Sequence, residues 1–236
     1  MRLNAHRLFM KPNLRFLSGW LGMSVAFALA PAAGAATSRT VIGTELVDGV
    51  PCAGKIEFHE GGRLKRATLS RDHEIAGNAL PAGTRVSFHE DGRLRECHLD
   101  AAGAVLSGRP LPKGTEVVFD GGGRMRNCLL PENTIIEGHL CLGKGTNWST
   151  GFYPNGQLRL AWLARDEEIQ GVPCMSAGGV LRAIGKALVG RNQGGVFFHE
   201  NGNLASALVA RDCVVQGRAF KRGELIRLDR DGNVQP

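Results

Sequence analysis

A seven-residue pattern recurs six times along this chain of 236 residues. Each copy joins an apolar residue, a polar turn with glycine at its fifth position, and a second apolar residue. The copies occupy residues 58–64, 88–94, 119–125, 152–158, 198–204 and 228–234. One copy is too short to bury a hydrophobic core, so consecutive copies must pack against one another. The sequence therefore predicts a repeat architecture.

The second copy indicates what one unit forms. Residues 84–88 alternate apolar and polar side chains, which is typical of a β-strand with one buried face. Asp91-Gly92 then predicts a tight turn, because glycine adopts a positive φ at little steric cost. Leu94 begins a second strand, so each copy is predicted to form an antiparallel hairpin.

A second pattern links the hairpins and predicts a short third strand. It combines a polar turn with a brief apolar run that ends at glycine, and it occupies residues 69–77, 130–138, 163–171 and 209–217. Together the two patterns predict an all-β fold, in which repeated antiparallel hairpins form an elongated β-meander. A β-solenoid is the alternative.

The interval between the fourth and fifth copies is 46 residues, compared with 30 to 33 elsewhere, which indicates an insertion at about residues 175–195. Val180, Leu181, Ile184 and Leu188 fall at helical spacing, so the insertion is either a short amphipathic helix or a degenerate extra hairpin. Such a stripe usually faces a core. The alternative is contact with a membrane surface or a partner through residues 178–190.

Residues 1–35 have the features of an export signal. Four basic residues precede an apolar run, and Ala33-Gly34-Ala35 supplies a small-residue cleavage pattern. An uncleaved membrane anchor is the alternative, but the run is short for about 30 Å of hydrocarbon. We therefore expect a periplasmic or secreted protein, with a linker over residues 36–46 and a repeat domain over residues 47–236.

Removal of that signal changes the charge balance. The whole chain has 29 basic and 22 acidic residues, and because four of the basic ones precede residue 36, the remainder has 25 against 22. The two signs alternate along the chain instead of clustering. This balance argues against a nucleic-acid partner, for which a strongly basic domain is typical.

All six cysteines lie after the predicted signal. An even number in an exported chain predicts disulfides, and the absence of C-x-x-C spacing argues against redox or structural-zinc motifs. In a solenoid, Cys97–Cys128 and Cys141–Cys174 are close enough to bridge, whereas a meander requires pairs such as Cys128–Cys141. The disulfide candidates are Cys52, Cys97, Cys128, Cys141, Cys174 and Cys213.

The glycine-turn hairpins, with the pattern Phe-x-x-x-Gly-x-Leu, resemble MORN-type repeats over most of residues 47–236. The units here are longer than MORN units, and the aromatic-glycine opening of that consensus is missing. The resemblance implies an elongated β-meander that serves as a scaffold or contact surface. It transfers no catalytic residue, because the matching positions in that family are structural.

Three histidine–glutamate pairs are the most tempting candidates for chemistry: His59-Glu60, His89-Glu90 and His199-Glu200. A histidine four residues further on would indicate a zinc-protease helix, and none of the three has one. Because the pairs repeat at hairpin tips, we interpret them as solvated turn residues. Residues 229–233 resemble a calcium loop but align with the other tips, so no metal site and no cofactor is predicted.

Trp148, Tyr153 and Trp162 lie close together in a chain with few aromatic residues. They are candidates for a ligand or partner patch, with core packing as the equal alternative. The leading hypothesis is a non-enzymatic exported repeat protein that binds another protein or an envelope component. The second is a carbohydrate-binding module or hydrolase that uses residues near the insertion and Trp148–Trp162. The oligomeric state is not specified by the sequence.

Overall fold

Twelve antiparallel strands, each paired with its predecessor in the sheet, form the main sheet of this protein. The computed structural model describes residues 37–102, 104–144, 149–177 and 194–236, and these residues contain 22 strands and no helix. The other ten strands form five two-stranded sheets, which we call the minor hairpins. Every strand pair is antiparallel, so the predicted β-meander is confirmed and the parallel coils of a solenoid are excluded for the described residues.

The main sheet has its strands in chain order from one edge to the other. They are β1 (Ser38–Val47), β2 (Val50–Phe58), β3 (Leu64–Leu69), β6 (Arg85–Phe88), β7 (Leu94–His98), β10 (Glu116–Phe119), β11 (Met125–Leu129), β14 (Ser149–Phe152), β15 (Leu158–Ala161), β18 (Val196–Phe198), β19 (Leu204–Leu208) and β22 (Leu225–Arg227).

The minor hairpins connect successive hairpins of the main sheet. They are β4 (His73–Ile75) with β5 (Asn78–Leu80), β8 (Ala104–Leu106) with β9 (Arg109–Leu111), β12 (Thr134–Ile136) with β13 (His139–Cys141), β16 (Glu167–Ile169) with β17 (Val172–Cys174), and β20 (Cys213–Val215) with β21 (Arg218–Phe220). The predicted third strand is therefore present, and each one pairs with a fourth strand of three residues.

The five main hairpins from β2–β3 to β18–β19 each close over a tip of five residues and carry a bulge, whereas β1 and β2 are joined by the two-residue turn Asp48-Gly49. In the second copy Phe88 pairs with Leu94 while Ser87 pairs with Glu96, so Arg95 is an extra residue on β7. Gly92 has a φ of 86° at the turn, as predicted from the sequence. The bulge keeps Phe88 and Leu94 on the buried face while the chain reverses.

The core lies between the main sheet and the minor hairpins. Val86, Val117 and Phe119 of the main sheet share one cluster of buried residues with Leu106 and Ile136 of the minor hairpins. Each minor hairpin turns at a non-glycine residue followed by glycine, both at positive φ, as in a type I′ turn. These tight turns bring the apolar residues of the short strands back over one face of the sheet, which we call the inner face.

Strand β1 corrects the linker that the sequence predicted over residues 36–46. Residues Ser38–Val47 pair with β2 along the edge of the sheet, with a bulge between Val41 and Glu45. Arg39 and Glu45 lie opposite the buried residues Ile56 and Cys52, and they form an ion pair with each other. Because charged residues occupy its inward positions, β1 lacks the apolar alternation by which a strand is recognised.

The disulfide prediction is not met in this structure, where all six cysteines are free thiols. Cys97 and Cys128 both pair with Val117, from opposite sides of β10. Two strand spacings separate them by about 10 Å, which is beyond the reach of a disulfide. Burial raises the pKa of the Cys97 and Cys128 thiols to about 12, so both remain protonated at neutral pH.

The burial of the thiols predicts their reactivity. Five cysteines are buried and Cys213 is partly exposed. We expect a thiol-specific reagent to modify Cys213 promptly in the native protein and the other five only after unfolding, because the thiolate needs access to the reagent. Cys213→Ser should remove the fast phase. Fewer than six titratable thiols in denaturant without reductant would contradict the structure.

Three predictions from the sequence fall outside the described residues. The export signal over residues 1–35, Trp148 and the membrane-contact segment over residues 178–190 all belong to this group. In the part of the chain that is described, no helix has the length and apolar character needed to cross a bilayer.

Candidate functional site

The hairpin tips bind one another through the repeated polar residues. His59 donates its Nε2–H to the carbonyl of Phe88 at 3.0 Å, and His199 donates in the same way to Leu228 at 2.9 Å. Tyr153 occupies the matching position and donates its hydroxyl to the carbonyl of Phe198 at 2.9 Å. These three side chains are half-buried. The contacts agree with a structural interpretation of the histidine pairs. The imidazoles of His59 and His199 are, however, hydrogen-bonded to the protein and not fully solvated.

An aspartate takes the place of histidine in the third tip. Asp120 accepts hydrogen bonds from the backbone N–H groups of Gly122 and Arg124 at 2.8 and 2.9 Å. The bond from the Arg124 N–H, followed by those from Gly122 and the Arg124 guanidinium, outweighs partial burial and lowers the pKa of Asp120 below its ordinary value of 3.8. The carboxylate therefore stabilises the folded tip when it is ionised.

Acid should weaken this tip. A lowered folded-state pKa gives a stabilisation that is complete above the ordinary value and is lost as the pH falls through the folded value. We expect the unfolding free energy of Asp120→Asn to fall less than that of the wild type when the pH is lowered below about 4. The difference should be under about 1 kcal/mol, because the tip is accessible to solvent. Urea unfolding at neutral and acid pH measures it. An unchanged pH dependence would contradict this role.

The predicted aromatic patch is not assembled in the described residues. Tyr153 lies in the tip at one end of β15, whereas Trp162 follows the other end of that strand. Trp162 is 7% exposed and packs beside Gly194. A patch that includes Trp148 remains a prediction, because that residue is not described.

The opposite face of the main sheet, which we call the outer face, contains a groove of about 610 Å³. The groove crosses from β2 to the start of β14, and its lining includes the alternate residues that point away from the core. The outward-facing lining combines the apolar residues Val118 and Leu129 with polar and charged ones: Lys55, Glu57, Arg66, Thr68, Arg85, Ser87, Glu96, His98, Glu116, Asn127 and Ser149. Because strands hold these residues, their spacing is fixed by the sheet.

Ion pairs cross the floor and rim of the groove. Glu57 contacts Lys55 at 2.8 Å and Arg66 at 3.6 Å. Asp100, at the end of β7, contacts Arg85 at 2.7 Å and His98 at 3.1 Å. The pairs are open to solvent, so they order the side chains more than they stabilise the fold.

The acidic residues of the groove are held in their ionised form. The hydrogen bond from Lys55 lowers the pKa of Glu57, and the one from Arg85 lowers the pKa of Asp100. Partial burial opposes ionisation of Glu96, but the Arg95 guanidinium at 2.6 Å overcomes it and the pKa of Glu96 falls below its usual value. None of these three carboxyls is therefore set up as a proton donor at neutral pH.

The outer face becomes apolar towards the C-terminal strands. Leu160 and Phe197 are opposite each other on β15 and β18, and both are half-buried. Leu208 and Leu225 form a second pair, against which Met175 packs. Within the described residues, no group of three or more His, Cys, Asp or Glu side chains is placed to hold a metal ion.

Sequence reasoning did not identify the groove. The alternation over residues 84–88 correctly placed Arg85 and Ser87 on the face opposite Val86 and Phe88, although Ser87 is buried there. Strand pairing aligns Arg66, Ser87 and Glu96 across three strands, which requires the register of the whole sheet. No protein-family model matches the chain. A comparison with curated proteins gives no match either.

Proposed function

We propose that this is a non-enzymatic exported repeat protein that acts as a binding scaffold for another protein or a component of the cell envelope. The outer face of the main sheet is its contact surface. One observation carries the proposal: the minor hairpins cover the inner face, while Lys55, Arg66, Arg85 and Glu116 remain exposed along the outer face. A wide, ordered and charged surface suits recognition by many contacts.

The chemistry of the repeated residues supports a scaffold. His59, His199 and Tyr153 hold neighbouring tips together, and the carboxylates of Glu57, Glu96 and Asp100 are ionised and paired. A hydrolase is expected to concentrate its polar residues where the repeat is broken, near the insertion and Trp162. The described groove lies instead on the regular strands from β2 to β14. The resemblance to MORN-type repeats agrees with a scaffold role.

The proposal is tested by affinity capture from native envelope extract, with the mature protein as bait. Arg66→Glu with Arg85→Glu reverses two charges of the outer face. Arg71→Glu with Arg165→Glu makes the same change in the loops between main and minor strands. We expect the first pair to lose the captured component and the second to retain it. Equal capture by both pairs would contradict the outer face as the contact surface.

Export is tested separately. A periplasmic or secreted protein should appear in the corresponding cell fraction, with a mass that corresponds to cleavage after residue 35. Recovery of the uncleaved chain from the cytoplasm would contradict export.

A further inference from the structure

Four basic side chains occupy one structural position in four consecutive main hairpins. Each is the extra residue at the bulge of the second strand, immediately after the leucine or methionine that follows the turn. We call them the basic row: Lys65, Arg95, Arg126 and Arg159. Because one hairpin contributes two strands, neighbouring members are about 10 Å apart along the sheet.

Observations on three of its members place the basic row at the outer face. Arg95 donates to Glu96, which lines the groove, at 2.6 Å. Lys65 is close enough to Glu57, another lining residue, to lower its pKa. The guanidinium of Arg159 lies over Gly151, where an added Cβ would be 2.7 Å from Nη2.

Gly151 is informative because it lies inside strand β14, where glycine weakens a sheet. Its backbone pairs with Asn127, a residue of the groove lining. The missing side chain leaves the space that the Arg159 guanidinium occupies beside the Asn127 amide. The fourth hairpin therefore extends the row of cations past the end of the groove.

The outer face from β2 to β15 has seven basic side chains: Lys55, Lys65, Arg66, Arg85, Arg95, Arg126 and Arg159. Its acidic side chains number four: Glu57, Glu96, Asp100 and Glu116. The described residues contain 22 basic and 22 acidic residues in total, so those outside this set number 15 and 18. A net positive face attracts a negatively charged partner.

We propose that the basic row and its groove bind a linear acidic polysaccharide, an inference that rests on the proposed scaffold function. Carboxylates spaced along such a chain can pair with the arginines and Lys65. Between these cations, Thr68, Asn127 and Ser149 present hydroxyl and amide groups that exchange hydrogen bonds with sugar hydroxyls.

The lining of the groove favours a glycan over other polyanions. Its described residues include no Phe, Tyr or Trp on which nucleic-acid bases could stack. A flat anionic bilayer would meet the rim of the groove and leave the polar residues of its floor without partners. A slender polar chain can follow the floor and still reach the basic row.

The test is a binding titration of the mature protein with polygalacturonate, and with neutral dextran as the ligand control. The row variant replaces all four members with glutamine: Lys65→Gln, Arg95→Gln, Arg126→Gln and Arg159→Gln. The matched control removes four positive charges from loops between the main and minor strands: Arg71→Gln, Arg165→Gln, Arg211→Gln and Arg222→Gln. Thermal unfolding verifies that both variants fold. If the row variant with four glutamines is unstable, a variant with Arg→Lys at the three arginines of the row keeps the charge.

We expect the protein to bind polygalacturonate and not dextran. The row variant should lose affinity for polygalacturonate by about tenfold or more, whereas the affinity of the control variant should change by less than about twofold. Added salt should weaken binding to the wild type more than to the row variant. Equal losses in both variants would overturn the inference, since net charge alone would then explain binding. So would equal binding of single-stranded DNA or anionic vesicles.

The same variants separate this inference from the scaffold proposal. Suppose that polygalacturonate does not bind but that the protein with Arg66→Glu and Arg85→Glu loses the captured envelope component. The outer face then remains a contact surface, and the proposal of an acidic polysaccharide is wrong. If capture is also unchanged, the scaffold proposal fails as well.

Discussion

Replacing Gly143 with alanine should be among the most damaging single changes in this protein. A Cβ at this buried position would overlap the backbone carbonyl of Glu132, which cannot move as a flexible side chain can. We expect a loss of about 3 kcal/mol of unfolding free energy, or failure to fold, because overpacking against backbone forces the chain apart. Urea unfolding monitored by circular dichroism measures the loss.

Other repeat units show which residues occupy the position of Gly143. Ala82, Ser176 and Arg222 occupy the matching position in other units, and each donates its backbone N–H to an aspartate ten residues earlier. Gly143 donates in the same way to the side chain of Asn133 at 3.0 Å. Alignment of the repeats alone would therefore predict that alanine is harmless at this position.

Gly61→Ala is the matched control. Gly61 lies in a hairpin tip with nothing within 4 Å of an added Cβ, and its φ is not in the left-handed region. We expect its unfolding free energy to change by less than about 0.5 kcal/mol. Similar stabilities for Gly143→Ala and Gly61→Ala would show that the chain does not approach Gly143 as closely as described.

Leu163→Ala should also cost about 3 kcal/mol, through a cavity. Leu163 has 0% exposure and forms an isolated bridge with Cys141, where a minor hairpin meets the main sheet. The neighbouring Ala164 donates its N–H to Leu140, so the backbone is held and cannot collapse into the space. Chemical denaturation gives the loss directly, and a thermal melt should fall by several degrees.

Leu46→Ala makes the same chemical change at a site that is 60% exposed on β1. Little burial is lost there, so we expect a change within about 0.5 kcal/mol. If both leucine variants lost equal stability, the distinction between the covered core and the free edge would be wrong.

The fold could be predicted from the sequence wherever local chemistry determines the structure. Glycine at the fifth position of each repeat fixed the main turns, and Gly92 indeed has a positive φ. The fourth strand of each unit was missed because three residues, such as Asn78–Leu80, are too few to display a period. The pairing of this fourth strand with the third is recognisable only after the Ala76-Gly77 turn brings the two strands together.

The disulfide prediction failed for a different reason. Cysteine number and export suggest pairing, but pairing depends on distances that the sequence does not give. Val117 stands between Cys97 and Cys128, the pair expected of a solenoid, and the pair expected of a meander, Cys128–Cys141, also consists of free thiols. Buried cysteine also packs as a small apolar residue, so its presence in a core needs no bond.

The candidate site was harder to predict than the fold. Tyr153 was singled out for a ligand or partner patch, whereas its hydroxyl donates a hydrogen bond to the carbonyl of Phe198 in the neighbouring tip. The outer groove draws single residues from many strands, so no local motif marks it. The basic row could have been found by aligning the repeats after the Gly-x-Leu element, where Lys65, Arg95, Arg126 and Arg159 coincide.

Arg39 also makes β1 a poor template for a further apolar hairpin. Its guanidinium covers the ring of Phe58 at 5.3 Å, at the margin where a further hairpin would have to place apolar side chains. A new unit added before β1 would trap this cation and Glu45 away from water, at a cost that the extra hydrophobic contacts would have to exceed. We therefore expect a designed hairpin inserted between the repeats to be tolerated better than one added in front of β1.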